Sequence, residues 1–316
     1  MNDTVRAVVV DPEVQGRLAV REVEADEPGR DEAMVRVASI SLNRGEIRYA
    51  RSAVAGWRPG WDLAGTVEQS AADGSGPHVG ERVVGVLRSG AWAERVAVPT
   101  NQLAVLPDAV SFAQAAALPV AGLTALYALE EGGALLGRRV LVTGASGGVG
   151  DLAVQLARDM GATVTALVHQ ERFLDTVRAA GAHHALAGEG AAIARGHGPF
   201  WLILDSVGGQ TLGDAMRMLE RGGICVTLGI SGGPNATFDV DRFFNTGGAR
   251  LYGFAVFHEF AARPASAGLA RLAALVADGR LRPTIALELS WRDVGDVAQQ
   301  LWDRRYPGKA ILHLDR

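Results

Sequence analysis

Cysteine is almost missing from this chain of 316 residues, with Cys225 its only example. One cysteine excludes an intramolecular disulfide and any cysteine-rich zinc site, and it suits a reducing cytoplasm. No cluster of lysine or arginine occurs and the formal net charge is −4, so nothing argues electrostatically for nucleic acid. Long apolar runs are scarce too. The most apolar stretch, 113–129, is broken by Pro119 and Gly122 and carries Gln114 and Thr124, which describes a buried helix and not a membrane span. The opening MNDTVRAVVVDPE has neither the basic segment nor the apolar core of a secretory signal. A cytoplasmic protein that engages no membrane is therefore expected.

What is present describes a globular chain. Hydrophobic residues make up 48% and charged residues 21%, and 316 residues exceed what one core ordinarily serves, so two domains are expected. Up to Leu106-Pro107-Asp108, short β-branched runs at 5–10, 33–40, 65–68, 82–87 and 92–98 alternate with Gly, Pro and Asp. No periodic helix is visible among them, and a small antiparallel barrel or sandwich is expected. Ser111-Phe112-Ala113-Gln114 is then a capping box opening an alanine-rich helix, and a second helix, 121–131, stops at Gly132-Gly133.

From Arg138 the texture alternates. Strands are predicted at 140–143, 163–168, 184–186, 201–205, 224–228 and 251–256, with helices at 151–160, 173–180 and 211–219. Such alternation implies an α/β fold with a parallel, doubly wound sheet. The tail, with helices at 266–278 and 293–304 and strands at 285–289 and 310–314, is expected to fold back onto the N-terminal domain, because the sheet is complete without it.

The densest signal is RVLVTGASGGVG, starting at Arg139. A β-prone run enters a glycine-rich turn that opens into a helix, which is the sequence of a phosphate cradle. Small residues admit a pyrophosphate to the backbone, and the helix N-terminus offers free N–H groups and partial positive charge. Against G-x-G-x-x-G the match is Ala145, Gly147 and Gly150, with Ser146, Gly148 and Val149 between them. A Gly-rich turn between strand and helix also occurs for purely structural reasons. Asp151 places a carboxylate in the first helical turn, favourable to the dipole and unfavourable beside a phosphate.

The order and spacing of several landmarks make the chain resemble the medium-chain dehydrogenase/reductases, in their zinc-free quinone oxidoreductase or enoyl reductase branch. The landmarks are Asn43, Pro59-Gly60-Trp61-Asp62-Leu63-Ala64-Gly65, Val79-Gly80-Glu81-Arg82-Val83, Leu118-Pro119 and Gly122-Leu123-Thr124-Ala125. The glycine-rich turn, Asp205-Ser206-Val207-Gly208-Gly209 and Gly308-Lys309 complete them. The turn also fits a short-chain dehydrogenase pattern through Thr143, Gly144, Gly148 and Gly150. That family needs Tyr-x-x-x-Lys, and none of Tyr49, Tyr127, Tyr252 or Tyr306 has a lysine four places on.

The resemblance implies a Rossmann dinucleotide-binding domain over 116–257 and a β-rich, GroES-like catalytic domain from 1–115 together with 258–316. It also implies no metal. Zinc-dependent relatives need Cys and His ligands, whereas Trp61-Asp62 stands where their His-Glu is expected and the seven histidines do not fall at ligand intervals. Without a Lewis acid, a conjugated acceptor that delocalises incoming charge is favoured: a quinone or an α,β-unsaturated carbonyl. NADPH is expected over NADH, because His169 and Arg172 follow the second strand of the sheet where an NAD enzyme places an acid, although Glu171 argues the other way.

The resemblance sets Thr124 beside the nicotinamide ring, Gly229, Ser231 and Phe254 around its ribose and carboxamide, and Val207 with its backbone near the cofactor. Asn43 and Tyr49 are the catalytic candidates, on the loop that in this family approaches the nicotinamide; the tyrosine of typical quinone reductases falls in register with Arg48. Bland readings stand beside these: a back-bonded helix threonine, a packed surface tyrosine, and an Asp62 that caps backbone amides. The competing function is a non-catalytic NADPH-binding redox sensor or crystallin-like structural protein. A homodimer is expected through the edge strand 251–256, LYGFAV, which has no Pro and no charge after Arg250; cover by the C-terminal segment is the alternative.

Overall fold

The computed structural model describes residues 4–314. The chain forms two compact units: one from the chain up to Leu123 and from Phe257 onward, the other Thr124–Val256. In order, the first unit supplies β1 (Thr4–Val10), β2 (Leu18–Glu24), β3 (Glu32–Ser41), α1 (Arg44–Ser52), β4 (Asp62–Gln69), β5 (Arg82–Val86), β6 (Arg95–Pro99), β7 (Leu103–Val105) and α2 (Phe112–Ala116). Helix α3 (Pro119–Glu130) leads into the second unit, which holds β8 (Arg139–Thr143), α4 (Gly148–Asp159), β9 (Thr163–Val168), α5 (Leu174–Ala179) and β10 (His184–Ala187). It continues with β11 (Phe200–Asp205), α6 (Gly209–Met216), β12 (Leu219–Thr227), α7 (Val240–Thr246) and β13 (Arg250–Gly253). The chain returns through α8 (Val256–Glu259), α9 (Ala265–Ala277), β14 (Ile285–Ser290), α10 (Val294–Trp302) and β15 (Lys309–His313).

The first unit is β-rich, as expected of it. Strand β3 is its hub: β4, β6 and β15 all pair with it antiparallel, and Ala33, Val35, Val37 and Ile40 are buried along it. The seven-stranded sheet runs β14-β15-β3-β4-β5-β7, with β6 on β3, while β1 and β2 pair separately. Pairing of β15 with β3 folds the tail back onto the N-terminal strands. Trp92 and Trp291 are fully buried in this core. Two expectations fail here. The interval after β3 contains a nine-residue helix, α1, where none was foreseen, and β6 begins at Arg95, leaving Trp92 outside it.

The second unit is the doubly wound sheet. Its six strands run β10-β9-β8-β11-β12-β13, which in chain order is third, second, first, fourth, fifth, sixth. Val140, Leu141 and Val142 on β8 are buried on both faces, which is why this strand is continuously apolar and not alternating. Helix α4 starts at Gly148, so Gly148 and Gly150 belong to its first turn and Gly147 is its N-cap. At the far edge β13 ends at Gly253, short of the expected 256. Phe254 lies just beyond the strand, its N–H donating to the Thr227 carbonyl at 2.9 Å, and Val256 already opens α8.

Candidate active site

The order of the parallel sheet reverses between β8 and β11, and in open α/β sheets the crevice at such a reversal takes the ligand. The two strand ends are tied together. Thr143 Oγ1 donates to Asp205 Oδ1 at 2.7 Å, the Gly208 N–H donates to Asp205 Oδ2 at 2.8 Å, and Ser206 Oγ donates to the Thr143 carbonyl at 2.9 Å. Asp205 is fully buried; burial raises its carboxyl above the ordinary range and these donors pull it back. It braces the crevice from beneath. Burial also pushes the Cys225 thiol well up, with the Asp205 charge adding to the effect.

Above this brace, the glycines of the turn do different work. Gly144 has φ +61°, a left-handed conformation, and a Cβ there would collide with Ser206 Oγ. A Cβ on Gly150 would lie 2.5 Å from the Gly144 carbonyl oxygen and 2.6 Å from Ala145 Cα, so only glycine lets α4 pack this closely. Gly147 is the opposite case. It is the N-cap of α4 with ordinary extended φ and ψ, no side chain caps the helix, and a Cβ would meet only the Gly144 oxygen, at 3.5 Å. The open space at Gly147 and the uncapped first-turn amides fit a diphosphate. Asp151 is buried and accepts a hydrogen bond from Gln155 Nε2 at 3.2 Å, one turn along the helix.

The loops after β11 and β12 join the same rim. Ser231 Oγ donates to the Ser206 carbonyl at 3.1 Å, and the Gly232 N–H donates to the Val207 carbonyl at 2.7 Å. A Cβ on Gly229 would sit 2.6 Å from the Ser206 oxygen. Ala145–Gly150, Val207, Gly229 and Ser231 are thus brought together at the carboxyl ends of the strands. His169 and Arg172 are exposed after β9, with the Arg172 guanidinium stacked 4.7 Å over the Phe173 ring. Thr124 is buried on α3 and Phe254 is buried beyond β13.

In the first unit, Asn43 caps α1 and enters a buried polar network. Its Nδ2 donates to Asp62 Oδ2 at 2.7 Å and to Glu46 Oε1 at 3.1 Å, and its Oδ1 accepts from Lys309 Nζ at 2.7 Å. Asp62 also accepts from Ser41 Oγ at 2.6 Å and from the Val120 backbone N–H at 3.0 Å, so it does cap a helix amide. Glu46 is completely buried, its Oε2 has no hydrogen-bond partner among the described residues, and burial, with Asp62 next, pushes its carboxyl well above the usual range. In the sequence Lys309 stands out only within the Gly308-Lys309 landmark, and Glu46 does not stand out. The available signal was that Lys309 is the only lysine in the chain. Tyr49 is not part of the network; it is exposed and packs edge-on against Trp61. Among the described residues, no group of three or more His, Cys, Asp or Glu side chains could hold a metal ion.

Two family models match in tandem: an alcohol dehydrogenase GroES-like domain over residues 29–108 and a zinc-binding dehydrogenase domain over 148–271. The chain belongs to the medium-chain dehydrogenase/reductase superfamily. Members of that superfamily bind nicotinamide cofactors. The spectinabilin polyketide synthase protein NorB of Streptomyces orinoci is 34% identical over 90% of this chain, which spans only 13% of NorB. The 2-methylene-furan-3-one reductase of tomato, Solanum lycopersicum, is 28% identical over 90% of this chain and 72% of its own. The Escherichia coli quinone oxidoreductase, solved with NADPH, superposes with a TM-score of 0.84 at 22% identity, covering 98% of this chain and all of its own, and shows the shared fold. Among the described residues, no helix is long and apolar enough to cross a membrane.

Proposed function

We propose that this oxidoreductase uses NADPH to reduce a conjugated acceptor, a quinone or an α,β-unsaturated carbonyl, without zinc. The observation that carries the nucleotide half is the open, uncapped turn at Gly147 above the Thr143–Asp205 brace. The acceptor half draws on the tomato relative, named for a substrate with an exocyclic conjugated methylene, on the E. coli neighbour, and on Trp61-Asp62 standing where a zinc dehydrogenase carries His-Glu.

In this reading Ala145–Gly150 hold the diphosphate by backbone amides, and His169 and Arg172 meet the 2′-phosphate. Thr124, Val207, Gly229, Ser231 and Phe254 serve the nicotinamide end. Bound NADPH supplies the hydride. Asn43 spends both N–H donors of its amide on Asp62 and Glu46, so its role is to position the loop and not to protonate substrate; water delivers the proton.

The test is NADPH oxidation against a panel of quinones, enones and enoyl thioesters, with and without exhaustive chelation. The expected outcome is turnover with conjugated acceptors, unchanged by chelation, and weaker NADH binding. Tight NADPH binding with no oxidation by any acceptor would instead favour the sensor or structural protein.

A further inference from the structure

The sequence has no long basic run, yet the fold assembles a basic face within the first unit. Helix α1 carries Arg44, Arg48 and Arg51, at spacings of four and three that bring side chains to one side of a helix. Its other side, with Glu46, Ile47 and Ala50, is buried. Helix α10 packs against α1, and two of the arginines rest on its last residue, Trp302. The Arg44 guanidinium carbon lies 4.5 Å from the Trp302 ring centroid and that of Arg51 lies 4.7 Å from it. Arg44 also donates Nη1–H to the Leu301 and Trp302 carbonyls, at 3.2 and 2.8 Å, which fastens it to the last turn of α10. The Arg48 guanidinium lies 5.5 Å over the Tyr49 ring, and α10 is followed at once by Asp303, Arg304 and Arg305.

Few acids answer this charge. Arg44, Arg48 and Arg51 form no ion pair among the described residues. Glu46 is buried, bonded to Asn43 and biased to its neutral form. Asp293 and Asp296 stand at the opposite end of α10, and Asp303 pairs with Arg305 at 3.4 Å. Burial first and the like charge of Arg304 second lower the Arg44 pKa, with Asp303 opposing them. The face has apolar surface as well, since Tyr49 and Val54 are 53% and 77% exposed. Arginine, tyrosine and tryptophan are the residue types that dominate binding energy at protein interfaces. A guanidinium already stacked on a ring is ordered and keeps in-plane N–H donors for a carboxylate.

We propose that this face docks an acidic helical segment of another protein, its carboxylates spaced by four and three residues to meet the arginines and its apolar side chains resting on Tyr49 and Val54. Such docking is independent of the reductase reading and uses the first unit alone. From Arg44 to Arg51 the helix rises by about 10 Å, which spans roughly three phosphates of one nucleic-acid strand, and so few contacts bind weakly at physiological salt. A helical protein segment matches the face both in length and in its mixture of charge and apolar surface, as a phosphate backbone does not.

The test uses the full chain and a fluorescein-labelled, alanine-based helical peptide with glutamates at that spacing and leucines beside them, read by fluorescence anisotropy, with its all-glutamine counterpart as the control. Exposed ion pairs contribute a factor of about two to five each, so the glutamate peptide should bind about tenfold more tightly at low salt, a difference that shrinks at high salt. Arg48→Gln/Arg51→Gln should remove most of that difference while the far-UV circular dichroism stays unchanged. Arg48→Gln alone, which leaves both Trp302 contacts in place, should remove part of it. Arg139→Gln/Arg221→Gln takes the same charge from exposed positions of the second unit and should change nothing. Equal affinity for the two peptides, or an equal loss in the Arg139/Arg221 variant, overturns docking at this face. Single-stranded DNA or phosphatidylserine vesicles bound as tightly, with the same loss in the Arg48/Arg51 variant, overturn the assignment to a protein partner. Self-association at low salt that the Arg48/Arg51 variant abolishes overturns it in favour of a second copy of the chain.

Discussion

Lys309 Nζ lies 3.2 Å from Asp62 Oδ2, and both side chains are out of solvent, at 3% and 0% exposure. A lone buried ammonium is costly, and here its other donors are spent on the Leu42 carbonyl at 2.9 Å and Asn43 Oδ1 at 2.7 Å. The pair joins β15, near the end of the chain, to β4 and to the loop that carries Asn43.

Removing one partner of such a pair leaves the other charge buried and unpaired, at a cost of about 3–5 kcal/mol. Lys309→Met should lower the unfolding free energy by that amount in urea titrations. The Lys309→Met/Asp62→Asn double variant should cost less than the two single losses added, because the second change removes the orphaned charge. A loss below ~1 kcal/mol for Lys309→Met would mean that the network tolerates a bare Asp62.

Glu46 gives this network a pH signature. Its folded pKa is raised above the ordinary carboxylate value, by burial first and by Asp62 second, so the folded state keeps a proton that the unfolded chain gives up. The contribution is therefore fully present at low pH and is lost as pH climbs from the ordinary carboxylate range through the folded value. Glu46→Gln removes the titration and keeps an oxygen to accept the Asn43 N–H. Its melting temperature should gain on the parent protein between pH ~5 and pH ~8. A difference that stays constant across that window would show that Glu46 does not titrate there.

These two residues also mark where the sequence stops being informative. The strands of the parallel sheet were legible because burial on both faces leaves unbroken runs such as Val140-Leu141-Val142, and the turn was legible because only glycine satisfies Gly144 and Gly150. Helix α1 was not. Its buried set is Glu46, Ile47 and Ala50, and a buried acid among arginines breaks the apolar period that would announce a helix. Strand β2 hid for a related reason, since three of its last four residues, Arg21, Glu22 and Glu24, are charged and the strand is poorly buried there. The candidate site was legible where backbone shape decides it and illegible where side chains from distant segments meet, as Lys309, Asp62 and Asn43 do.

The glycines of the turn separate nucleotide binding from folding. Gly147 has conformation and space for a side chain, so Gly147→Val should fold with near-parental stability and lose NADPH binding in calorimetric titration, its branched side chain filling the space a diphosphate needs. Gly150→Ala should instead fail as a protein, because its methyl overlaps the Gly144 oxygen and Ala145 Cα. Parental NADPH affinity in a folded Gly147→Val would remove the cradle reading.

Strand β13 decides the assembly we expect. Among the described residues it pairs only with β12, at the end of the six-stranded sheet, and Leu251 on it is 41% exposed. Helix α7, packed on β12, also leaves Val240 and Phe244 exposed. An apolar edge with unpaired backbone groups and no proline invites a partner strand, and two-fold pairing of β13 with its own copy would join two sheets and hide both edges. Light scattering at low micromolar concentration should therefore give a mass near twice the 33.1 kDa of one chain. Leu251→Lys, which puts a charge in the middle of the edge, should shift the protein to monomer while its far-UV circular dichroism stays unchanged. A parent protein already at the single-chain mass would mean that the edge is tolerated in solution, with Arg250 at its start serving as the guard.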